Sequence, residues 1–438
     1  MHEDADNSPP RPGRRTRRYL PAFAVTALAV LGAIAVLNLL VDPYRAYRIL
    51  ASPALDSAKP TGSNRVTKAE MVCHETAETI VLGSSRVEAG IDPVGPALAG
   101  RRALNLGLAG ASMYEVYQAF QFARRRMPLR SVILLVEFPA FNASRKLTRE
   151  DFTKSRFDPD RPAWEYHVEN LIGWDAVEYS FRTLGRAMSG QPRRPFPALG
   201  HTVPEKLVAL GFRRAVKRQL AAPAADRAST YRLNEPALGL FRDLILACRH
   251  DGIRLYLAVP PVHAIHMEDL HATDQWDAYE NWKRAIVRIV DEQNAAAASA
   301  PASAAAAAGP LVLWDFANYN RYTTEEIPPA SAANPRMQYH YDQAHFTPAF
   351  GELLLHRILA PSTGSATSSG QTPASSCPVA VPPVPRDAND IDLSGLGVII
   401  TPACLEAHLA RIRAGRETYA ASHAADLADL MPAGPRNP

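Results

Sequence analysis

ETIVLGSSR, Glu78 to Arg86, decides the fold: a short aliphatic run, Thr79 to Leu82, is stopped abruptly by Gly83, Ser84 and Ser85. This is a strand that ends in a turn of small residues. Downstream, ALNLGLAG (Ala103 to Gly110) repeats the pattern, a second short strand running into a glycine turn. Val116, Ala119, Phe120 and Ala123 then recur at helical spacing between Met113 and Arg126, and SVILLVEF (Ser131 to Phe138) is a continuous apolar run. Such a run, with no polar alternation, predicts a strand covered on both faces. Further on, the pattern predicts a helix over Pro236–His250, a strand over Arg254–Val259, a helix over Trp276–Glu292, a strand over Val312–Phe316 and a last helix after Thr347. Strands alternating with helices argue for βαβ units. The fold class expected for residues 77–360 is therefore α/β, a three-layer α/β/α sandwich with a parallel sheet.

Upstream of this region, Tyr19 to Val41 reads YLPAFAVTALAVLGAIAVLNLLV without a charge. About twenty such residues cross a bilayer. The flanks are RPGRRTRR before and Asp42-Pro43 after. By the positive-inside rule, residues 1–18 stay in the cytoplasm and the remainder is carried across, to the periplasmic side of the cytoplasmic membrane. A cleaved signal peptide is the rival, but the segment is long and lacks a clean A-x-A site before a polar start. A signal-anchor is the expectation, with residues 42–76 as a connecting segment.

Several tracts interrupt the α/β order. Residues 146–230 form an insert rich in Arg and aromatics without a clear period, a lid or a substrate-facing elaboration. AAAASAPASAAAAAG (295–309) reads as a low-complexity loop extension between helix and strand, open to partial helix. Residues 361–401 form a Pro/Ser-rich linker, and 402–438 an Ala-rich helical tail of no evident purpose.

The net charge is +4 over 438 residues, and Arg11, Arg14, Arg15, Arg17 and Arg18 contribute much of it. A concentrated basic face is missing, which argues against nucleic acid as a partner. No G-x-G-x-x-G or P-loop occurs, so no nucleotide cofactor is expected, and no other cofactor is called for. The four cysteines lack metal spacing; Cys377 and Cys404 are the pair close enough in sequence to suggest a disulfide, and Cys248 falls in a helical core pattern. His263, His266 and His271 cluster without the H-E-x-x-H arrangement of a zinc site, so a solvated loop is expected there. Trp314-Asp315 ends a strand and adds a carboxylate with no spacing argument behind it.

Two elements carry chemistry. Gly83-Ser84-Ser85-Arg86 stands at the carboxyl end of a strand, where open parallel sheets bind ligands and where a hydroxyl lies beside backbone N–H groups. Taken alone, the same turn is a strand-to-helix junction whose serine caps the helix. Asp342-Gln343-Ala344-His345 precedes the last helix, so that His345 can act as general base while Asp342 holds its tautomer. On spacing alone, a helix-start aspartate beside an exposed histidine is the simpler account.

Together these elements resemble the SGNH (GDSL-like) hydrolase superfamily, and in particular its membrane-anchored branch, with the alginate O-acetyltransferase-like proteins and the D-alanine transfer protein of teichoic acid synthesis. The resemblance spans about 38–359 and rests on Asn-Leu-Leu-Val-Asp-Pro-Tyr, Leu-Gly-Ser-Ser-Arg, Asn-Leu-Gly, Phe-Asn and Asp-x-x-His. It implies a flavodoxin-like fold, Ser85 as nucleophile, and His345 and Asp342 as base and orienter. It also implies an oxyanion hole from the Ser85 and Gly107 backbone with Asn142. Arg86 is either a contact to an anionic substrate or a salt-bridged residue. Two departures stand out: Ser84 replaces the usual aspartate, and Glu137-Phe138-Pro139-Ala140-Phe141-Asn142 occupies the place of a Gly-x-Asn-Asp block. The implied function is a serine acyl-esterase or O-acyltransferase on a cell-envelope polymer, with a membrane acyl-donor protein as a possible partner. The alternative is a catalytically silent envelope scaffold or polymer-binding protein.

Overall fold

A computed structural model describes residues 16–50, 52–59, 64–189, 199–222, 230–299, 309–332, 335–360 and 395–431. In chain order the elements are α1 (Thr16–Val41), α2 (Pro53–Ala58), α3 (Asn64–His74), β1 (Thr79–Gly83), α4 (Ser85–Gly90), β2 (Ala103–Gly107), α5 (Met113–Arg124) and β3 (Ser131–Leu135). The insert contributes α6 (Ala163–Ile172), α7 (Trp174–Met188), α8 (Glu205–Leu210) and α9 (Phe212–Gln219). There follow α10 (Glu235–His250), β4 (Arg254–Val259), α11 (Ala264–Ala272), α12 (Trp276–Ala298), β5 (Leu313–Asp315), α13 (Pro348–Leu359), β6 (Val398–Ile399), α14 (Pro402–Ser422) and α15 (Ala424–Leu430).

The chain divides into two units: residues 1–63 with 160–196, and residues 64–159 with 197–438. In the first, α1 is long and apolar enough to cross a membrane over Tyr19–Val41, and little of it is covered by protein. At its C-terminal end the chain turns sharply, with Asp42 at a φ of 48°. The Asp42 carboxylate accepts the N–H groups of Ala46, Tyr47 and Arg48 at 2.7, 3.1 and 2.7 Å, so the turn is closed by its own aspartate. Helices α6 and α7 pack against α1, and Asn38 Nδ2 donates to Leu171 O at 2.8 Å.

The second unit is α/β. Its sheet has the order β2-β1-β3-β4-β5-β6, the first five strands parallel and β6 antiparallel. Every residue of β1, β2 and β3 is buried, as the unbroken apolar runs require. On one face Val81, Ile133 and Leu135 pack against Val87 of α4, Ile91 just after it, and Phe350, Leu354 and Ile358 of α13. The register aligns Gly83 with Gly107, Leu82 with Leu134, and Leu135 with Ala258. The turns after β1, β2, β3 and β4 therefore open along one edge.

The structure differs from the sequence reading in four places. Residues 64–74 of the connecting segment are α3, buried from Arg65 through Val72; Arg65 makes a two-point ion pair with Glu115 at 2.8 Å. Residues 398–399, assigned to the linker, form β6, a strand too short to give a period. Helix α12 runs on to Ala298, into the Ala-rich tract. The stretch with the three histidines is α11 and its cap rather than a solvated loop, since Ala264, Ile265, Met267 and Leu270 are buried. Cys377, residues 300–308 and residues 361–394 lie outside the described residues.

The tail of the chain is part of this unit. Helix α14 buries Leu405, His408, Leu409 and Ile412 and packs on α12. Arg413 pairs with Glu280 at 2.5 Å and Arg416 with Glu268 at 3.0 Å. Beneath it, Asp315 at the end of β5 is fully buried between Lys283 Nζ at 2.6 Å and His408 Nε2 at 2.9 Å. Burial alone would raise the Asp315 pKa, but Lys283 and His408 outweigh it and hold it down at about 2.

Candidate active site

Gly83 closes β1 at a φ of 154°, and a Cβ there would sit 2.5 Å from Val87 Cγ2 and 3.2 Å from Glu137 Oε1. Both the backbone and the space demand glycine. Replacing Gly83 with Ala is expected to cost about 1–3 kcal/mol, visible as a Tm lowered by several degrees in thermal unfolding. An unchanged Tm would mean the turn relaxes freely.

Both readings of the small-residue turn are realised, by different serines. Ser84 is the N-cap of α4, its Oγ accepting from Arg86 N–H at 3.3 Å. Ser84 also donates twice to Glu137, from N–H to Oε1 at 2.8 Å and from Oγ to Oε2 at 2.6 Å. Ser85 is thereby left at the first helical position with its hydroxyl outward. Its Oγ lies 2.9 Å from His345 Nε2.

His345 is held in turn by Asp342. Nδ1 lies 2.8 Å from Oδ2 and 3.0 Å from Oδ1 of Asp342, and the backbone N–H groups of Ala344 and His345 each donate to Oδ1 at 2.7 Å. Burial would push the Asp342 pKa up, yet the His345 ring and these backbone donors outweigh it and bring it to about 2. Asp342 is thus an anion at neutral pH. An anion at that position accepts a hydrogen bond from Nδ1–H and so leaves the Nε2 lone pair facing Ser85.

A fourth member comes from the insert. Gln219, the last residue of α9, donates from Nε2 to Asp342 Oδ2 at 2.5 Å. Nothing in FRRAVKRQ distinguishes this glutamine in sequence, because its partner lies 123 residues away. Helix α9 is itself fixed by the tail: Arg213 pairs with Asp426 at 2.6 Å and Lys217 with Asp429 at 2.6 Å, and Phe212 and Val216 pack with Leu430. Gln219→Ala is expected to lower kcat about tenfold, the effect of one hydrogen bond to a buried charge, with KM unchanged, in a steady-state ester-hydrolysis assay. A change in KM with kcat intact would show instead that Gln219 meets the substrate.

The remaining expected site residues have other partners. Gly107 N–H donates to Asn105 Oδ1 at 2.9 Å, so it is not available to an oxyanion. Its glycine is required for packing, since a Cβ would lie 2.5 Å from Glu88 N and 2.7 Å from Ser84 O. Asn105 Nδ2 donates to Val87 O and Ile91 O at 2.8 and 2.7 Å, stitching α4 to β2. Beyond it the buried Lys68 ammonium donates to Gly107 O, and burial lowers its pKa to about 8. Asn142 Oδ1 accepts from Ser144 N–H at 2.9 Å and Arg232 N–H at 3.3 Å. It serves the turn after β3 and lines a cleft of about 280 Å³ with Arg145, Lys146 and Arg149. Of the three expected oxyanion donors, the Gly107 N–H is spent on Asn105, the bonds at Asn142 engage its oxygen rather than its Nδ2 donor, and the Ser85 N–H is an orphan of the first helical turn.

Arg86 is buried and paired. Its guanidinium lies 3.6 Å from Glu137 Oε2 and 3.2 Å from His266 Nε2. Burial and Arg86 together lower the His266 pKa to about 3, so His266 is a neutral acceptor. Glu137, Arg86 and His266 therefore form a brace beneath Ser84, and the salt-bridged alternative for Arg86 fits this geometry. The signal for Glu137 was present in sequence: a carboxylate at the end of an apolar strand, at the sheet edge. His263 donates from Nε2 to Glu325 O at 3.0 Å and caps α11 by accepting from Ile265 N–H through Nδ1, and His271 stacks on Trp276 at 4.0 Å. Among the described residues no group of three or more His, Cys, Asp or Glu is placed to hold a metal ion.

No protein-family model matches this chain, and no curated protein is significantly similar to it.

Proposed function

We propose that the chain is a membrane-anchored, extracytoplasmic serine acyl-esterase or O-acyltransferase of SGNH type, acting on a cell-envelope polysaccharide or related polymer. The observation that carries this is the relay from Ser85 Oγ through His345 to Asp342 at the carboxyl edge of the sheet, at 2.9 and 2.8 Å. The strand order 2-1-3-4-5 among the parallel strands is that of flavodoxin-like doubly wound sheets, whose ligands bind at this edge. It supports a three-layer α/β/α assignment.

In this reading the Ser85 oxygen attacks an acyl carbonyl while its proton passes to His345 Nε2. Asp342, steadied by Gln219, stabilises the imidazolium. The Ser85 N–H faces the developing oxyanion. His345 then returns the proton to the leaving alcohol, and water or a polymer hydroxyl resolves the acyl-enzyme. Hydrolysis and transfer differ only in that last nucleophile. The apolar span of α1 and the arginines before it support a single-pass anchor with a cytoplasmic N-terminus, which would bring the site to the periplasmic side and to a membrane acyl donor.

A second reading, a catalytically silent scaffold, is favoured by the engagement of Gly107 N–H with Asn105 and by the lack of a Gly-x-Asn-Asp block. An oxyanion hole short of one donor loses about 10²–10³ in rate. Hydrolysis of p-nitrophenyl acetate by the full chain in detergent separates the two. Turnover that vanishes in Ser85→Ala supports the enzyme, and equal background rates in both proteins support the scaffold.

A further inference from the structure

Helices α6 and α7 expose apolar stripes that the chemistry of Ser85 does not use. In α7, Trp174, Phe181 and Met188 recur at spacing seven, 79%, 61% and 87% exposed, along one line of the helix. The opposite line, Ala176, Ser180 and Thr183, is the buried one, so the helix turns its largest apolar groups outward and its small residues inward. In α6, Trp164, Val168 and Ile172 repeat the arrangement at spacing four, all exposed. Among the described residues of the other unit, only Val94, Leu147 and Leu246 are large apolar side chains of this exposure. An exposed apolar face confined to one unit marks a surface that meets something apolar.

What it meets follows from α1. Asn38, whose side chain is bonded to Leu171 O, lies three residues before the end of the span at Val41, about 5 Å along the helix axis. The junction between α6 and α7 is therefore tied to α1 at the level where a spanning helix leaves the hydrocarbon. Tryptophan is the residue enriched at that level, its ring apolar and its N–H wet. Trp174 opens α7 at this junction and Trp164 stands near the start of α6, and the charged pair Glu178–Arg182, 2.6 Å apart, sits at the rim of the α7 stripe.

We propose that α6 and α7 lie in the outer interface of the bilayer beside α1, their apolar stripes buried among lipid headgroups and upper acyl chains. The anchor is then a spanning helix plus an interfacial hairpin. This rests on the spanning reading of α1 and is independent of the chemistry at Ser85. Amphipathic helices bind in this way when their apolar side is large.

The test uses the full chain in phosphatidylcholine vesicles. Of its five tryptophans, Trp276, Trp282 and Trp314 are buried, so Trp164 and Trp174 dominate quenching. Lipids brominated high on the acyl chain are expected to remove roughly two fifths of the emission, the share of the two interfacial tryptophans. Aqueous acrylamide should remove little. In Trp164→Phe/Trp174→Phe, checked for folding by circular dichroism, the bromolipid effect should vanish. Quenching by acrylamide and not by bromolipid would put the face in water, and quenching by neither would mean that protein, such as a second copy, covers it. Either result overturns the proposal. Flotation separates the premises: a chain that floats with vesicles but shows no bromolipid quenching refutes the hairpin alone, and one that fails to float refutes the spanning anchor and the hairpin with it.

Discussion

Ser85→Ala is expected to lower hydrolysis of an activated ester by about 10⁵–10⁶-fold in kcat, the loss seen when the nucleophile of a serine relay is removed. The size follows from how completely the surroundings serve that one hydroxyl. Glu137 holds Ser84 through two hydrogen bonds, Asn105 ties α4 to β2, and His345 is fixed from behind by Asp342. No other hydroxyl is bonded to His345 among the described residues. Ser84 does not substitute, because its Oγ is already committed to Glu137. The substitution itself should leave Tm almost unchanged, since Ser85 is only partly buried and its removal opens no core cavity. A variant that keeps a tenth or more of the rate would locate the nucleophile elsewhere.

Asp315→Ala is expected to have the largest effect on stability, about 3–5 kcal/mol. The substitution would leave Lys283 fully buried without its counter-ion and deprive His408 of its acceptor, loosening α14 from the end of β5. The effect is pH-dependent, and its sign is fixed by the depressed pKa. Asp315 titrates near 2 in the folded chain, against about 3.9 when unfolded. Its stabilising contribution is therefore complete above the unfolded value and is lost as pH falls from about 4 towards 2. Denaturant unfolding should show the wild type converging on Asp315→Asn as the pH is lowered through that window. Curves that stay parallel would mean that the carboxylate is not what holds the tail. Because α15 steadies α9 through Arg213 and Lys217, loss of the tail should also weaken the Gln219 support of Asp342.

Local pattern and tertiary partnership divide what was legible in the sequence from what was not. Thr79–Gly83 and Ser131–Leu135 were readable as strands because a strand buried on both faces is apolar without interruption. The α/β class followed from their alternation with helices. Ser85, Asp342 and His345 were named from short blocks, and the structure has His345 within hydrogen-bond distance of both Ser85 and Asp342. Gly107 was assigned to the oxyanion by the resemblance of Asn105-Leu106-Gly107 to a family block, but its N–H is taken by Asn105, two residues earlier in the same motif. Gln219 left no local signature: its value lies in a contact made across the fold. Asp315 had no spacing argument, since Lys283 and His408 reach it from separate helices. The two-residue β6 is too short for any period and is defined by pairing with β5 alone.

The most direct measurement is mass spectrometry of the full chain after exposure to a fluorophosphonate. A serine activated by His345 should carry one phosphonyl adduct, mapped to Ser85, and His345→Ala should abolish labelling while Tm is retained. No adduct on Ser85 under conditions that label a control serine hydrolase, or equal labelling in His345→Ala, would contradict a serine relay at this site.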